Sequence, residues 1–311
     1  MKNLLYIFTV LFAFSFLLVL SSHANNYSFC NGIKNKILAN APVDSVLKAI
    51  IAEDSLAKIS GDKDRMGMAK AKLGNYYYNK SPQTSIDYNK AAADLFMKAK
   101  NKPWTALSYQ NVAFAYEEGL SNYQEALKYV EKALPIWREI KDTMGEANIL
   151  KYQGLLYGKI HEFSKAKSTI NQAIVKFRLK RFEQGVGVCY YDLSQVYFEM
   201  GNIDSCMTYL FKAKTIYKKN KESARIFLLN NKLMGIYVYN DDYLTAKDIF
   251  DENEKIAATS DIYGEHLLEF YSLSEITLKR TNFLDKASAY AKKYSDLKQK
   301  LEQQGIKITT E

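Results

Sequence analysis

Residues 151–177 read KYQGLLYGKIHEFSKAKSTINQAIVKF, and this stretch predicts a pair of antiparallel helices. Gly154 and Tyr157 fall near the end of the first helix, and Ala166 and Ala173 fall in the second. Small residues let two helices approach closely, and a large aromatic residue fills the space beside them. A short polar stretch between the two halves is typical of a tight turn. The stretch therefore predicts a helical hairpin with a closely packed seam.

The same pattern recurs about every 40 residues. One series of equivalent positions consists of Tyr77, Tyr116, Tyr157, Tyr197 and Tyr237, and Leu278 continues it at nearly the same interval. A parallel series of small residues consists of Ala91, Ala126, Ala166, Cys206, Ala246 and Ala287. Because an internal period of this length is the signature of helical-repeat arrays, we expect an all-α protein whose repeat-defining core consists of the five tyrosines and the small residues from Ala126 onward.

The repeats resemble those of the tetratricopeptide repeat (TPR) family, specifically exported bacterial arrays with a period of about 40 residues. Gly154, Tyr157, Ala166 and Ala173 match the family pattern, and the resemblance covers about residues 63–300. It implies a superhelical array of antiparallel helix pairs, a TPR-like α-solenoid with about six repeats and one preceding helix. The familiar TPR unit has about 34 residues, so a HEAT or armadillo array is the alternative fold.

The spacing of the repeats also predicts the domain boundaries. Residues 25–62 form a lead segment and an N-terminal helix, which we place at 43–59 because its apolar residues have helical spacing. The predicted units cover about 63–102, 103–142, 143–182, 183–222, 223–262 and 263–305, with a tail at 306–311. Tyr77 and Ala91 are further apart than the corresponding residues of later units, which predicts a longer turn around Pro82 in the first unit.

Residues 1–24 have the layout of a secretory signal peptide. Lys2 supplies a positive charge, Leu4–Leu20 is a predominantly apolar run, and Ser22 and Ala24 are small residues at the expected cleavage site. Cleavage there predicts an exported protein, periplasmic or secreted, with no integral membrane segment. The alternative is an uncleaved helix that tethers the protein to a membrane, since the apolar run reaches the lower limit of length for a membrane span.

The sequence offers little chemistry for catalysis. His161 and His266 belong to different predicted units, and neither has a partner at metal-ligand spacing. Cys30, Cys189 and Cys206 are an odd number of cysteines, which argues against a disulfide framework. The net charge of +9 is spread along the chain and indicates a soluble charged surface, not a nucleic-acid site. We therefore predict that the protein is not an enzyme and has no cofactor, no metal and no nucleic-acid partner.

The family resemblance implies a binding face. In TPR arrays the first helix of each pair lines a concave groove, and recurring positions on it point toward the ligand. Carried onto this sequence, the peptide-groove candidates are Asn75, Tyr78, Gln110, Phe114, Asn148, Lys151, Tyr191, Gln195, Phe198, Asn231 and Tyr239, and Glu117 and Lys159 occupy further groove positions. Aromatic and amide side chains suit an extended or helical peptide.

Some family members clamp a terminal carboxylate with two asparagines and three basic residues. The resemblance places Asn75 and Asn111 on the asparagine positions, but Ala71, Asn148 and Tyr152 on the basic ones, so we expect no such clamp.

Three hypotheses about function follow from these observations. The first is an exported scaffold that binds a protein or peptide partner in its groove without catalysis. The second is the ligand-sensing input component of an envelope signalling or transcription-regulatory system. The third is an enzyme, for which the sequence shows no catalytic motif.

Overall fold

The computed structural model describes residues 43–303, so the predicted signal peptide, the rest of the lead segment, Cys30 and the tail lie outside the described residues. Within 43–303 all regular structure is α-helical. The helices are α1 (Val43–Ser60), α2 (Lys63–Tyr77), α3 (Pro82–Lys98), α4 (Lys102–Leu120), α5 (Tyr123–Glu139), α6 (Thr143–Lys159), α7 (Phe163–Leu179), α8 (Glu183–Glu199), α9 (Ile203–Lys219), α10 (Ser223–Tyr239), α11 (Tyr243–Thr259), α12 (Gly264–Arg280) and α13 (Leu284–Gln303). The described part of the array therefore consists of one helix and six pairs, which confirms the predicted fold class.

Most helices end in the same kind of turn. After α6, the backbone N–H of Glu162 donates to the carbonyl oxygen of Tyr157 at 2.8 Å, and His161 between them has a left-handed φ of 61°. This is the Schellman arrangement, in which one left-handed residue lets the last carbonyls of a helix find donors. Tyr116, Tyr197 and Tyr237 accept the equivalent bond. The tyrosine series thus marks the residue whose carbonyl closes each of these turns.

Asparagine and aspartate then start the next helices. The side chain of Asn202 accepts from the N–H of Ser205, and that of Asp242 accepts from the N–H of Thr245. Such N-caps satisfy N–H groups that the helix itself cannot pair.

The small residues of the second helices lie in the seam of each pair. Ala126, Ala166, Ala246 and Ala287 are fully buried and Cys206 is nearly so. The tyrosines are half-buried, and several stack on a tyrosine of the partner helix, as Tyr197 does on Tyr209 with ring centroids 5.3 Å apart. These hairpins therefore share a seam of small residues, which in several of them is flanked by stacked aromatic rings.

The first pair corrects one expectation from the sequence. α2 ends at Tyr77 and α3 begins at Pro82, a residue well suited to the first turn of a helix, so the connection exceeds that between α6 and α7 by a single residue. Three residues after that start, Ser85 is fully buried at the position that Ala166 holds in α7. Ala91 is only half-buried, so its place in the small-residue series was wrong, as was the length of loop that its spacing from Tyr77 had predicted.

The chain divides into two compact units, which the spacing of the repeats did not predict. Unit 1 comprises residues 1–192, described from residue 43, and unit 2 comprises residues 193–311, described to residue 303. Within the part of the chain that the structure describes, every helix is too short or too polar to cross a membrane.

Candidate functional site

The first helices of unit 1 bring aromatic and acidic side chains together. Tyr78 directly follows α2, Phe114, Glu117 and Glu118 lie in the second half of α4, and Tyr152 lies in the middle of α6. Phe114, Glu117 and Glu118 are spaced three and four residues apart, which puts them on one face of α4. We call these five residues the aromatic–acidic cluster.

Direct contacts join the members of the cluster across three helix pairs. The rings of Phe114 and Tyr152 have centroids 4.3 Å apart and are tilted by 49°. The hydroxyl of Tyr78 donates to the carboxylate of Glu118 and lies 3.5 Å from the carbonyl oxygen of Phe114. The cluster is therefore one continuous patch on the first helices of unit 1.

Burial raises the pKa of the Glu117 carboxyl, and the negative charge of Glu118 adds to the rise. The Tyr152 hydroxyl and the charges of Lys159 and Lys151 act in the opposite direction without cancelling the rise. A carboxyl group whose charged form has lost water must be compensated by cations or donors. The residues around Glu117 compensate its charge only in part.

Tyr152 carries the second uncompensated group of the cluster. Its side chain is 4% exposed, and its hydroxyl makes no hydrogen bond of normal geometry. Burial raises its pKa, and the charge of the Glu117 carboxyl and a weak hydrogen bond to it add to the rise, so the two groups face each other without a hydrogen bond of normal geometry. Buried hydroxyls usually have a partner, and an exception calls for an explanation.

Most groove candidates of unit 1 lie where a ligand could reach them. Asn75, Asn148, Lys151 and Tyr191 are half-buried, as are Tyr78 and Phe114 of the cluster. Gln110 is buried at 7% exposure, so it offers a ligand less surface than these residues, and its place in a groove stays a prediction. It lies on the same repeat position as Lys151 and Tyr191, whose longer side chains extend further from the helix axis.

The exposed fraction of the groove candidates varies more in unit 2 than in unit 1. Gln195 is half-buried, whereas Phe198 and Tyr239 are 55% and 85% exposed. Asn231 is fully buried, which contradicts its predicted place in the groove.

Asn231 belongs to a buried amide network in unit 2. Its amide donates to the carbonyl oxygen of His266 at 2.9 Å and its oxygen accepts from Asn253 at 2.8 Å. Asn253 also accepts from Asn230 at 2.9 Å. Asn253 of α11 stands where α7 has Ala173, and this larger polar residue draws both asparagines of α10 into the interior. The network is structural.

The described residues hold few reactive groups. Among residues 43–303, no group of three or more His, Cys, Asp and Glu side chains is placed to hold a metal ion. Cys189 and Cys206 are free and buried, and burial raises the pKa of both thiols, that of Cys206 to about 11. Burial also lowers the pKa of His266. A neutral buried thiol is a poor nucleophile, so neither cysteine is suited to covalent catalysis.

Sequence reasoning missed Glu118 and placed Tyr152 only on a basic position of the carboxylate clamp, not in the groove. The groove positions carried over from the family include Phe114 and Glu117 but not the residue that stacks on Phe114 from the next pair. One feature of the sequence could have identified Tyr152. It directly follows Lys151, a groove candidate, on a helix that was expected to pack against α4.

Comparison with known proteins gives structural matches only. No family model and no curated protein sequence matches the chain. The apo form of RapI is similar with a TM-score of 0.63 at 17% identity, covering 88% of this chain and 97% of that one. A Rap protein complexed with competence and sporulation factor gives 0.57 at 16% identity, covering 88% and 74%. A kinesin light chain from Podosopora anserina with nearly identical TPR-like repeats gives 0.51 at 16% identity, covering 63% and 96%.

These similarities agree with an array of antiparallel helix pairs. They favour the TPR-like arrangement over the HEAT or armadillo alternative. The described residues therefore have the fold of the TPR-like helical-repeat proteins.

Proposed function

We propose that this chain is an exported, non-catalytic scaffold that binds a protein or peptide partner on the first helices of its repeats. The observation that carries the proposal is the aromatic–acidic cluster of unit 1, where half-buried rings and incompletely compensated polar groups occur together. Stable cores rarely leave such groups unpaired, whereas binding sites often do. A ligand would supply the missing partners.

The residues around the cluster suit a peptide. Asn75, Asn148 and Lys151 are half-buried on the same first helices, and amide and ammonium groups can bond to the backbone of an extended chain. A Rap protein of the same fold is known in complex with competence and sporulation factor, which supports the use of this fold to hold a partner.

Export is the part of the proposal that rests on the sequence alone. The layout of residues 1–24 supports a cleaved signal peptide and a periplasmic or secreted mature chain. A sensing component of an envelope signalling system would use the same binding face. It differs from a scaffold in coupling occupancy to a second protein.

Selection of a displayed random-peptide library against the purified chain tests the binding function. We expect a family of related peptides to be enriched. Because a buried aromatic anchor typically dominates such an interface, Phe114→Ala should weaken their binding by at least about tenfold. Isothermal titration calorimetry with the synthetic peptides measures the loss.

The matched control is Val175→Ala. Val175 is 66% exposed on α7, a second helix of the same unit, and its truncation should leave peptide affinity unchanged. Failure to enrich any peptide, or equal losses in the two variants, would contradict binding on the first helices.

A further inference from the structure

We propose that the aromatic–acidic cluster is a subsite for one cationic side chain, arginine or lysine, of the bound peptide. This inference rests on the proposed function and adds the chemistry of one ligand residue. It is carried by three features of unit 1: ring faces, a pair of adjacent carboxylates and an orphaned buried hydroxyl.

The rings supply a surface for the cation. Phe114 and Tyr152 are in direct contact, and Tyr78 comes within hydrogen-bonding reach of the backbone of Phe114. A guanidinium or ammonium group over an aromatic face is attracted by the negative charge of the ring face. The apolar stem of arginine or lysine also packs well against rings.

The carboxylates supply the acceptors. Glu117 is half-buried and Glu118 is exposed, so together they reach from the interior of the patch to its rim. Glu118 already accepts from the hydroxyl of Tyr78, which leaves acceptor positions on both carboxylates because an ionised carboxylate has about four lone-pair sites. Two adjacent carboxylates suit the forked donors of a guanidinium group.

The cations near Glu117 do not fully compensate its negative charge. Tyr152 and Glu118 face the carboxyl of Glu117, together with Lys159 and Lys151. Burial nevertheless raises its pKa, so the two lysines do not restore what desolvation removes. A ligand cation placed against Glu117 would reverse that imbalance and favour the charged carboxylate.

The hydroxyl of Tyr152 fits the same occupant. It is buried without a hydrogen bond of normal geometry and lies beside Glu117. As a phenol it can donate to the carboxylate and accept from a cation at the same time. A guanidinium group bound at Glu117 would reach this enclosed hydroxyl once the side chains around it shift, and would then give it the hydrogen-bond partner that it lacks.

An anionic ligand group fits poorly at this place. Glu117 and Glu118 would repel a carboxylate, and a like charge in a half-buried patch is costly. If the cluster were instead a purely structural feature, Glu117 would contribute to stability and its neutralisation would destabilise the chain. The two readings therefore predict opposite effects of the same substitution.

The test compares two small probes that differ mainly in charge. N-acetylarginine amide and N-acetylcitrulline amide are titrated into the full chain and followed by saturation-transfer NMR. We expect the arginine probe to bind at least about tenfold more tightly than the citrulline probe, because charge-assisted bonds exceed neutral ones. Glu117→Gln should remove most of that preference, and Tyr152→Phe should reduce it while keeping the ring.

The control is Glu131→Gln, which makes the same charge change at an exposed position on α5 of the same pair. It should leave the preference for arginine intact. Equal binding of the two probes, binding of neither, or equal effects of the two glutamate substitutions would overturn the inference. Enriched peptides that depend on Phe114 but carry no required cation would overturn it too, while leaving the proposed binding function standing.

Discussion

Replacing Gly154 by alanine should destabilise the chain, although the same substitution in the middle of a helix normally stabilises it. Gly154 is a buried residue of α6, and a Cβ atom there would lie 2.4 Å from Cγ1 of Ile170 and 3.1 Å from the carbonyl oxygen of Ala166. Both contacts belong to α7, the partner helix. Ile170 is fully buried and Ala166 contributes backbone, so neither can move aside easily.

Two opposing effects determine the magnitude. Alanine is favoured over glycine in a helix interior by about 1 kcal/mol. Overpacking a well-packed core by one methyl group costs about 1–3 kcal/mol, and here the helices themselves must separate. Since the separation of two helices places the cost in the upper half of that range, we expect the Gly154→Ala variant to lose about 1–2 kcal/mol of unfolding free energy.

Gly235 provides the matched comparison. It lies in α10, a first helix of unit 2, and the nearest atom to a Cβ there is Cδ1 of Leu273 at 3.9 Å, an ordinary contact. Only the helix preference remains, so Gly235→Ala should gain about 0.5–1 kcal/mol. Urea unfolding followed by circular dichroism measures both changes.

Hydrogen exchange should accompany the urea curves, because repeat arrays can open in parts and a single transition need not describe them. We expect faster exchange in α6 and α7 of the Gly154→Ala variant and slower exchange in α10 of the Gly235→Ala variant. Shifts of the same sign in both variants would refute the argument that close helix approach, and not helix preference, decides the effect at Gly154.

Three further predictions address charge, turn geometry and export. Burial raises the pKa of Glu117 in the folded chain above its ordinary value of 4.5. At a pH above that raised pKa, the charged carboxylate therefore lowers the free energy of unfolding. This loss of stability disappears as the pH falls below the pKa that Glu117 has in the unfolded chain. Glu117→Gln should therefore raise the melting temperature near neutral pH and leave it almost unchanged at about pH 3, and a decrease near neutral pH would indicate a structural carboxylate. Lys221 has a left-handed φ of 57°, so Lys221→Gly should add about 0.5–1 kcal/mol to the unfolding free energy. Gly201 has a left-handed φ of 72°, so Gly201→Ala should remove about 1 kcal/mol. Urea unfolding curves measure both changes. Intact-mass spectrometry of the exported protein should place its N-terminus at Asn25, and a mass near 35.7 kDa would show an uncleaved leader.

The repeat period predicted the scaffold because the same physical requirement recurs in each pair. A small residue must lie where two helices approach closely, and Ala126, Ala166 and Cys206 meet that requirement. The first pair was assigned wrongly because its seam residue is Ser85, which is small but not apolar. An assignment based on alanine therefore selected Ala91 instead.

Exposure at the groove positions was harder to predict because it depends on neighbouring pairs. Lys151 and Asn231 hold the same position in their first helices, yet Lys151 is half-buried and Asn231 is fully buried. The difference originates in Asn253, a residue of the adjacent second helix that replaces the usual alanine and binds Asn231. Nothing in the first helix alone reveals that partner.

The residues proposed to bind a ligand are those that break the repeat. At the position of Glu117, counted from the start of its helix, the other pairs carry Tyr78, Gly158, Phe198, Val238 and Lys279. If that position served packing, it would need similar residues in each pair, as the small-residue seam does. The residue at the position of Glu117 varies in size and charge, whereas the residues of the seam are small in each pair. Packing therefore does not fix the residue at this position, and a ligand outside the array can determine it. The repeated residues therefore determine the fold. The residues that depart from the repeat on the first helices of unit 1 determine the proposed ligand specificity, which the arginine and citrulline probes are designed to measure.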